Sequence, residues 1–318
     1  MDMHSILGMA SPTHPSALGG SIFVSESFVG LEIEMEGVSS QAVANLTHWN
    51  RVSEGSISGY EIVLKKPKCQ DELFLALCEI DVIKGRQSLD NAFSERTSVH
   101  VHVDIRDMTF NQMMAFITLS AMFEPVLYKY VAEHRSNNHF CWSLLDCQDL
   151  INRITKVYKA DSTTNSRNNA ISQAWTASAT KYAGINLSSV PRYGSLEFRM
   201  HEGTANKNSI IRWINILLSI KAYCMERDNI TPLNVLQTKE DMGIDSIFTE
   251  VLGGYKGILS YGGVEDDILK GIRSAQDFVH SLTERSVSPP TNHQPFNNLL
   301  ATIDTERLTQ RGMERRNA

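Results

Sequence analysis

The 318-residue chain contains no Cys-x-x-Cys pair, and its five cysteines, Cys69, Cys78, Cys141, Cys147 and Cys224, are odd in number and scattered. That argues against a disulfide framework or a thiolate zinc site and favours a reducing, cytoplasmic setting. No apolar run reaches the length that a bilayer-spanning helix needs. The most apolar stretch, residues 210–220, is interrupted by Arg212 and Asn215 and reads as a core helix. The beginning shows no basic segment followed by an apolar one, so no secretory leader is expected. Lys and Arg do not cluster in the body of the chain; their densest group lies at 307–316, and the net charge is −6. Phosphate-rich partners need clustered cations, so neither nucleic acid nor a membrane is an expected partner.

What is present is an ordinary globular composition, 42% hydrophobic and 21% charged. Residues 1–20, rich in Ser, Pro, Gly and His, read as a flexible arm. Residues 286–318, with Pro289-Pro290 and many Asn and Thr, read as a mobile tail with one short helix over 297–311. A single domain, 21–285, lies between. Within it, apolar residues alternate with polar ones over 29–36, 60–64, 99–104 and 196–202, which is the period of a strand with one face on a core. Helical spacing covers 71–82, 109–134 (Thr109 as N-cap, Pro125 as a kink or break), 146–158, 207–226, 246–251 and 266–283. Strands separated by helices and apolar on one face only predict an α+β domain, its antiparallel or mixed sheet backed by helices on one side.

The other strand faces carry Glu, His and Arg in place of a mixture of small polar residues. Glu32 and Glu34 stand two apart on a strand, about 6.7 Å from each other on one side. Two ionised carboxylates at that spacing repel by roughly 2–3 kcal/mol at an effective dielectric near 20. A divalent cation turns that repulsion into attraction, although a solvated acidic strand shows the same pattern. His100 and His102 likewise share a face, either as metal ligands or as hydrogen-bonded structural histidines; a zinc hydrolase would need a third His or Cys nearby. Residues 194–204 are densest, with Glu197, Arg199 and His201 expected on one face. A metal ligand beside a guanidinium suits phosphoryl transfer, whereas an isolated surface Glu–Arg pair does little. Glu61, after the turn 54–59, offers a third carboxylate. Arg135, just past a long helix, offers either an anion contact or a helix cap.

In order along the chain stand Gly30-Leu-Glu-Ile-Glu34, Trp49, Glu54-Gly-Ser56, Glu61, Thr97-Ser-Val-His-Val-His-Val103, Arg135, Lys181-Tyr-Ala-Gly-Ile-Asn186 and Leu196-Glu-Phe-Arg-Met-His-Glu-Gly-Thr204. This series, over roughly 28–225, resembles the amidoligases of bacterial and phage genomes, which belong to the glutamine synthetase-like carboxylate–amine ligases. The resemblance implies a glutamine synthetase-like sheet with the active site on the face away from the helices. It also implies ATP and Mg2+ (or Mn2+) as cofactors. Glu32, Glu34, Glu61, His100 and Glu197 would hold metal. His102 and Arg199 would face the nucleotide, and Arg199, Arg135 and Glu197 would serve the chemistry. Asn186 and Glu202 would shape the substrate pocket. ATP would convert a carboxylate to an acyl phosphate, and an amine would displace phosphate to leave an amide. The carboxylate and amine partners would be small molecules, peptides or protein side chains, in the cytoplasm (the host's, if phage-encoded), and an oligomer is compatible with the family. The Ser/Thr/Asn-rich stretch 161–180 is long for a connection and offers either a closing lid or a plain loop.

The chain departs from the family pattern in three places. Glu54 replaces an Asp, Ser98 stands where Gly is favoured before the H-x-H, and Lys65-Lys66-Pro67 replaces a Ser-Pro after Glu61. Two other outcomes fit the same residues: a guanidino or amine kinase on the same scaffold, or a catalytically inactive phage structural or interaction protein.

Overall fold

A computed structural model describes residues 1–14, 21–53, 57–136, 138–176, 182–242 and 244–283. Six strands form one sheet: β1 (Val29–Glu36), β2 (Trp49–Ser53), β3 (Gly59–Leu64), β4 (Ser98–Asp104), β5 (Ile185–Asn186) and β6 (Ser195–Glu202). Their order is β2-β3-β1-β4-β6-β5, and every pairing is antiparallel. With helices around it, the domain is α+β. Each of the four stretches expected to be extended is a strand. β2 and β5 lacked a readable alternation because β2 is exposed beyond Trp49 and β5 has only two residues.

One face of the sheet is apolar. Val29, Leu31, Ile33 and Met35 of β1, Val99, Val101 and Val103 of β4, and Leu196 and Phe198 of β6 are all buried. Three helices back it: α2 (Gln70–Arg86), α3 (Phe110–Tyr130) and α7 (Lys207–Met225). Phe116 of α3 meets Phe198 at 5.6 Å between ring centroids, and Trp49 Nε1 donates to Ala76 O of α2. Burying side chains of this size stabilises by roughly 1.5–3 kcal/mol each, so this face carries much of the fold's stability.

Helix α3 begins with a full capping box: Thr109 accepts from Gln112 N, while Thr109 N donates to Gln112 Oε1. Pro125 does not end the helix, which continues to Tyr130. It sits where Gly271 of α11 (Val264–Thr283) packs against the preceding turn; a Cβ on Gly271 would lie 1.7 Å from Met122 O.

Two expectations about flexible segments are corrected. Residues 3–7 of the presumed arm form a short helix, α1 (Met3–Leu7), whose Met3 and Ile6 are fully buried. Met3 N donates to Met108 O, tying it to the loop before α3. Two apolar residues in a polar segment suffice when a core groove receives them. Much of the stretch read as a lid or loop is helical: α5 (Thr164–Ala174), capped by Thr163 and packed through Ile171 and Ala174 against α4 (Gln148–Tyr158) and α1. Residues 177–180 of that stretch, residues 15–20 of the arm and the tail over 286–318 lie outside the described residues.

Glu124 of α3 is buried, and it accepts from Ser143 Oγ at 2.6 Å and from Leu144 N at 2.9 Å. Burial raises its carboxyl from an ordinary 4.5 to about 7, against the lowering effect of those two hydrogen bonds. The folded state therefore holds this proton at pH values where the unfolded chain has released it. Stability falls as pH rises from 4.5 to 7 and levels off above. The change amounts to about 3 kcal/mol. Glu124→Gln can keep both hydrogen bonds without a charge. Urea unfolding at pH 5 and pH 8 should show this loss in the wild type and its absence in the variant.

Candidate functional site

The face away from α2, α3 and α7 carries the charged residues, and the strand register brings them together. Glu32 of β1 lies opposite His100 of β4, Glu34 opposite Glu61 of β3, and His102 opposite Glu197 of β6. Paired residues in an antiparallel ladder project to the same side. Four strands therefore bring four carboxylates and two imidazoles onto one patch. His100, His102, Glu34, Glu61 and Glu197 are all buried, and Glu32 is partly so.

Glu32 sits between the histidines. Its Oε2 lies 3.0 Å from His100 Nδ1, and its Oε1 lies 3.2 Å from His102 Nε2. The second contact is off the hydrogen-bond direction, so His102 Nε2 is buried without a hydrogen-bond partner. Around His100 Nδ1 also stand Glu197 Oε1 at 3.7 Å, Glu61 Oε1 at 3.9 Å and Arg199 Nη1 at 3.5 Å. Among the described residues, two triads have ligand atoms close enough to share an ion: Glu32 with Glu61 and His100, and Glu32 with His102 and Glu197. Each uses Glu32.

The charge balance is lopsided: among the described residues Arg199 is the fixed cation in contact, paired to Glu197. Burial raises the Glu32 carboxyl, but the close contacts and charges of His100 and His102 outweigh it and hold the group well below its ordinary value. Burial pulls His102 down, yet Glu32 and Glu197 lift it above its ordinary value. Arg199 follows the same logic: burial lowers it, and Glu197, Glu34 and Glu32 raise it. Such crowding is offset by added positive charge, and a divalent cation held by carboxylate oxygens with imidazole nitrogen is one source.

The period-2 reading of β6 fails after Arg199. Val101 pairs with Phe198 but Val99 pairs with His201, leaving Arg199 and Met200 opposite His100 alone. This bulge inserts one residue and reverses the alternation. Arg199 stays on the charged face, while His201 turns to the core, where it is buried against Trp213, 5.6 Å between ring centroids, and near Ser209 Oγ. His201 therefore does not share a face with Glu197 and Arg199; burial pulls its pKa below the ordinary value.

The structure gives other expected positions protein partners that the sequence did not suggest. Arg135 is buried at 1% exposure, and its Nε and Nη2 donate to Met200 O and Arg199 O. It bolts the bulge in place and makes no contact with the carboxylate cluster. Asn186 donates to Glu197 Oε2 at 2.6 Å, so it orients a carboxylate of the cluster. Glu202 accepts from Ala132 N at the start of the 3-10 turn that carries Arg135. Glu34 faces the cluster, but its Oε2 accepts from Ser98 Oγ at 2.6 Å and it joins neither triad. Sequence reading noted Ser98 only as a departure from the family pattern and passed over Ser195. Ser98 contacts His100 Nε2 at 2.6 Å, and Ser195 contacts His102 Nδ1 at 3.2 Å. The signal was there, since alternation puts Ser98 on the face of both histidines and Ser195 on the face of Glu197.

A cavity of about 210 Å3 opens beside His102 and Glu32. Phe28, Gly30, Leu64, Lys66 and Tyr193 are among its walls. At Gly30, which lines it, a Cβ would press on His102 Cβ at 3.1 Å. Tyr193, largely exposed, stands edge-on to the His102 ring.

The family described as "Putative amidoligase enzyme" matches residues 51–221. The chain belongs to this amidoligase family. Membership marks it as an enzyme of the ligase type, and the match takes in β3, β4 and β6, with Glu61, both histidines, Glu197 and Arg199. Glu32 and Glu34 on β1 precede the matched region, yet they meet it through the register. No curated protein matches the chain. No helix among the described residues is long and apolar enough to cross a membrane.

If Arg135 holds the bulge, Arg135→Lys should destabilise although it keeps the charge, because an ammonium cannot span both carbonyls as the guanidinium fork does. One buried carbonyl left unsatisfied costs about 1–3 kcal/mol. Urea unfolding at fixed pH measures it, and an unchanged midpoint would remove Arg135 from this role.

Proposed function

We propose that this amidoligase is an ATP- and magnesium-dependent carboxylate–amine ligase on a glutamine synthetase-like sheet, forming an amide through an acyl phosphate. The observation that carries the reading is the pair of triads sharing Glu32 beside Arg199. The donors suit the group: carboxylate oxygens dominate, as Mg2+ prefers, and the imidazoles admit Mn2+ as well. The orphaned His102 Nε2 supplies an independent reason to place a cation there. Glu32, Glu61 and His100 would hold one ion and Glu32, His102 and Glu197 a second. Bound magnesium would supply charge neutralisation of the ATP phosphates.

The chain's own residues would do the positioning. Arg199, held by Glu197 and aimed by the bulge, would face the transferred phosphoryl group and neutralise charge as it develops. Asn186 would keep Glu197 in place. The cavity at Gly30 and Tyr193 would take the nucleotide, its base against Tyr193 and its phosphates passing Lys66 towards the carboxylates. A substrate carboxylate and an amine, on a small molecule, peptide or protein side chain, would approach Arg199. Holding reactants in this way is the larger share of what a protein contributes to such a step. The setting proposed is cytoplasmic, with neither nucleic acid nor membrane as partner.

Melting temperatures of the wild type and Glu32→Gln, each with and without ATP and Mg2+, test the reading. Ligand at about a hundred times its Kd adds ~2.7 kcal/mol, roughly 5–10 °C for a domain of this size. The rise is expected in the wild type and absent in the variant, which loses charge from both triads. No rise in either would sink the nucleotide site. Tyr193→Ala should weaken nucleotide binding by roughly tenfold, the loss of one stacking contact, with Mn2+ binding unchanged. Product analysis then separates ligase from kinase, since only the ligase releases free phosphate together with an amide.

A further inference from the structure

Each of the two site histidines touches a serine hydroxyl through the nitrogen that faces away from Glu32. His100 meets Ser98 Oγ through Nε2 at 2.6 Å, and turns Nδ1 to Glu32 Oε2. His102 meets Ser195 Oγ through Nδ1 at 3.2 Å, and turns Nε2 to Glu32 Oε1. The two rings thus offer different nitrogens to one carboxylate.

Proton counting decides the first pair. Ser98 Oγ has one hydrogen and two close partners, Glu34 Oε2 and His100 Nε2, each at 2.6 Å. The hydroxyl donates to Glu34 Oε2, so its one hydrogen is not free for His100. The satisfied arrangement has Ser98 donating to Glu34 and accepting from His100 Nε2–H. In the neutral ring Nδ1 then carries the lone pair. It points at Glu32, with Glu61 and Glu197 beyond, where only a proton or a cation relieves the contact. Both Ser98 and Glu34 are buried, so water does not offer either of them an easy substitute partner.

We propose that Ser98, held by Glu34, is a positioning residue that fixes His100 as the Nε2–H tautomer and so makes Nδ1 its ligand atom. The consequence for cation binding rests on the proposed metal site; the tautomer assignment does not. A ligand whose second nitrogen is hydrogen-bonded binds metal more tightly, and losing that partner typically lowers affinity by about 10–100-fold.

The test uses the full chain and two readouts. Long-range 15N–1H correlation spectra of the histidine rings, recorded without metal while pH is raised until the ring is neutral, show which nitrogen bears the proton. His100→Gln assigns the signal. The wild type is expected to show Nε2–H at His100, Ser98→Thr to retain it, and Ser98→Ala to show a mixture. Mn2+ binding followed by electron paramagnetic resonance should fall about tenfold or more in Ser98→Ala and recover in Ser98→Thr. An Nδ1–H tautomer in the wild type overturns the proposal, and so does an unchanged tautomer and affinity in Ser98→Ala. If Ser98→Ala does not fold, the wild-type and Ser98→Thr spectra still decide. Failure of the wild type to bind Mn2+ would count against the metal site alone, because the tautomer is read in its absence.

Discussion

The carboxylate of Glu32 is the constraint on which the charged face depends. It stands between two imidazoles, one at each oxygen, and belongs to both groups of residues able to hold an ion. Its neighbours Glu34, Glu61 and Glu197 crowd one patch of a sheet whose opposite face is mainly apolar. Such crowding costs stability, and here the cost is met in part by His102 and Arg199, both displaced towards their charged forms by the carboxylates around them. The apolar face supplies the stability that lets the other face be used in this way, and the antiparallel register fixes which residues meet.

Register alone would not have sufficed. A strictly alternating β6 would put His201 beside Arg199 and displace it from the core. The bulge opposite His100 separates them, and Arg135 fastens it from the side through two backbone carbonyls. An arginine that looks like an anion contact in the sequence thus gives two of its donors to backbone carbonyls. Asn186 and Glu202 have similar structural duties, one on Glu197 and the other on the backbone next to Arg135.

Much of this was legible beforehand. Alternation located β1, β3, β4 and β6 and assigned Glu32, Glu61, His100, His102, Glu197 and Arg199 to the polar side, because a half-buried strand writes its two faces into the sequence with period 2. The long helices were equally clear, and Thr109 marked the start of one. Three things were not. The bulge leaves no composition signal, so His201 was put on the wrong face. Short elements such as α1 and α5 depend on grooves elsewhere in the fold. Side-chain direction beyond the Cβ is also unreadable, which is why the hydrogen bonds of Glu34 to Ser98, of Asn186 to Glu197, and of Arg135 and Glu202 to backbone were not foreseen.

The strand order has a consequence for how the chain assembles. β4 is the seam: on one side it pairs with β1, part of the N-terminal run of strands, and on the other with β6, which the chain reaches only after α3, α4 and α5. Both histidines sit on that seam, while their acidic partners arrive from opposite ends of the sequence. The patch therefore does not exist in any early hairpin and closes only when the last long-range pairing forms, the slow kind of contact in folding. Glu32, Glu34 and Glu61 meet within the N-terminal strands, so the repulsion of the fourth carboxylate, Glu197, and the relief that Arg199 brings both fall on the pairing of β6 with β4.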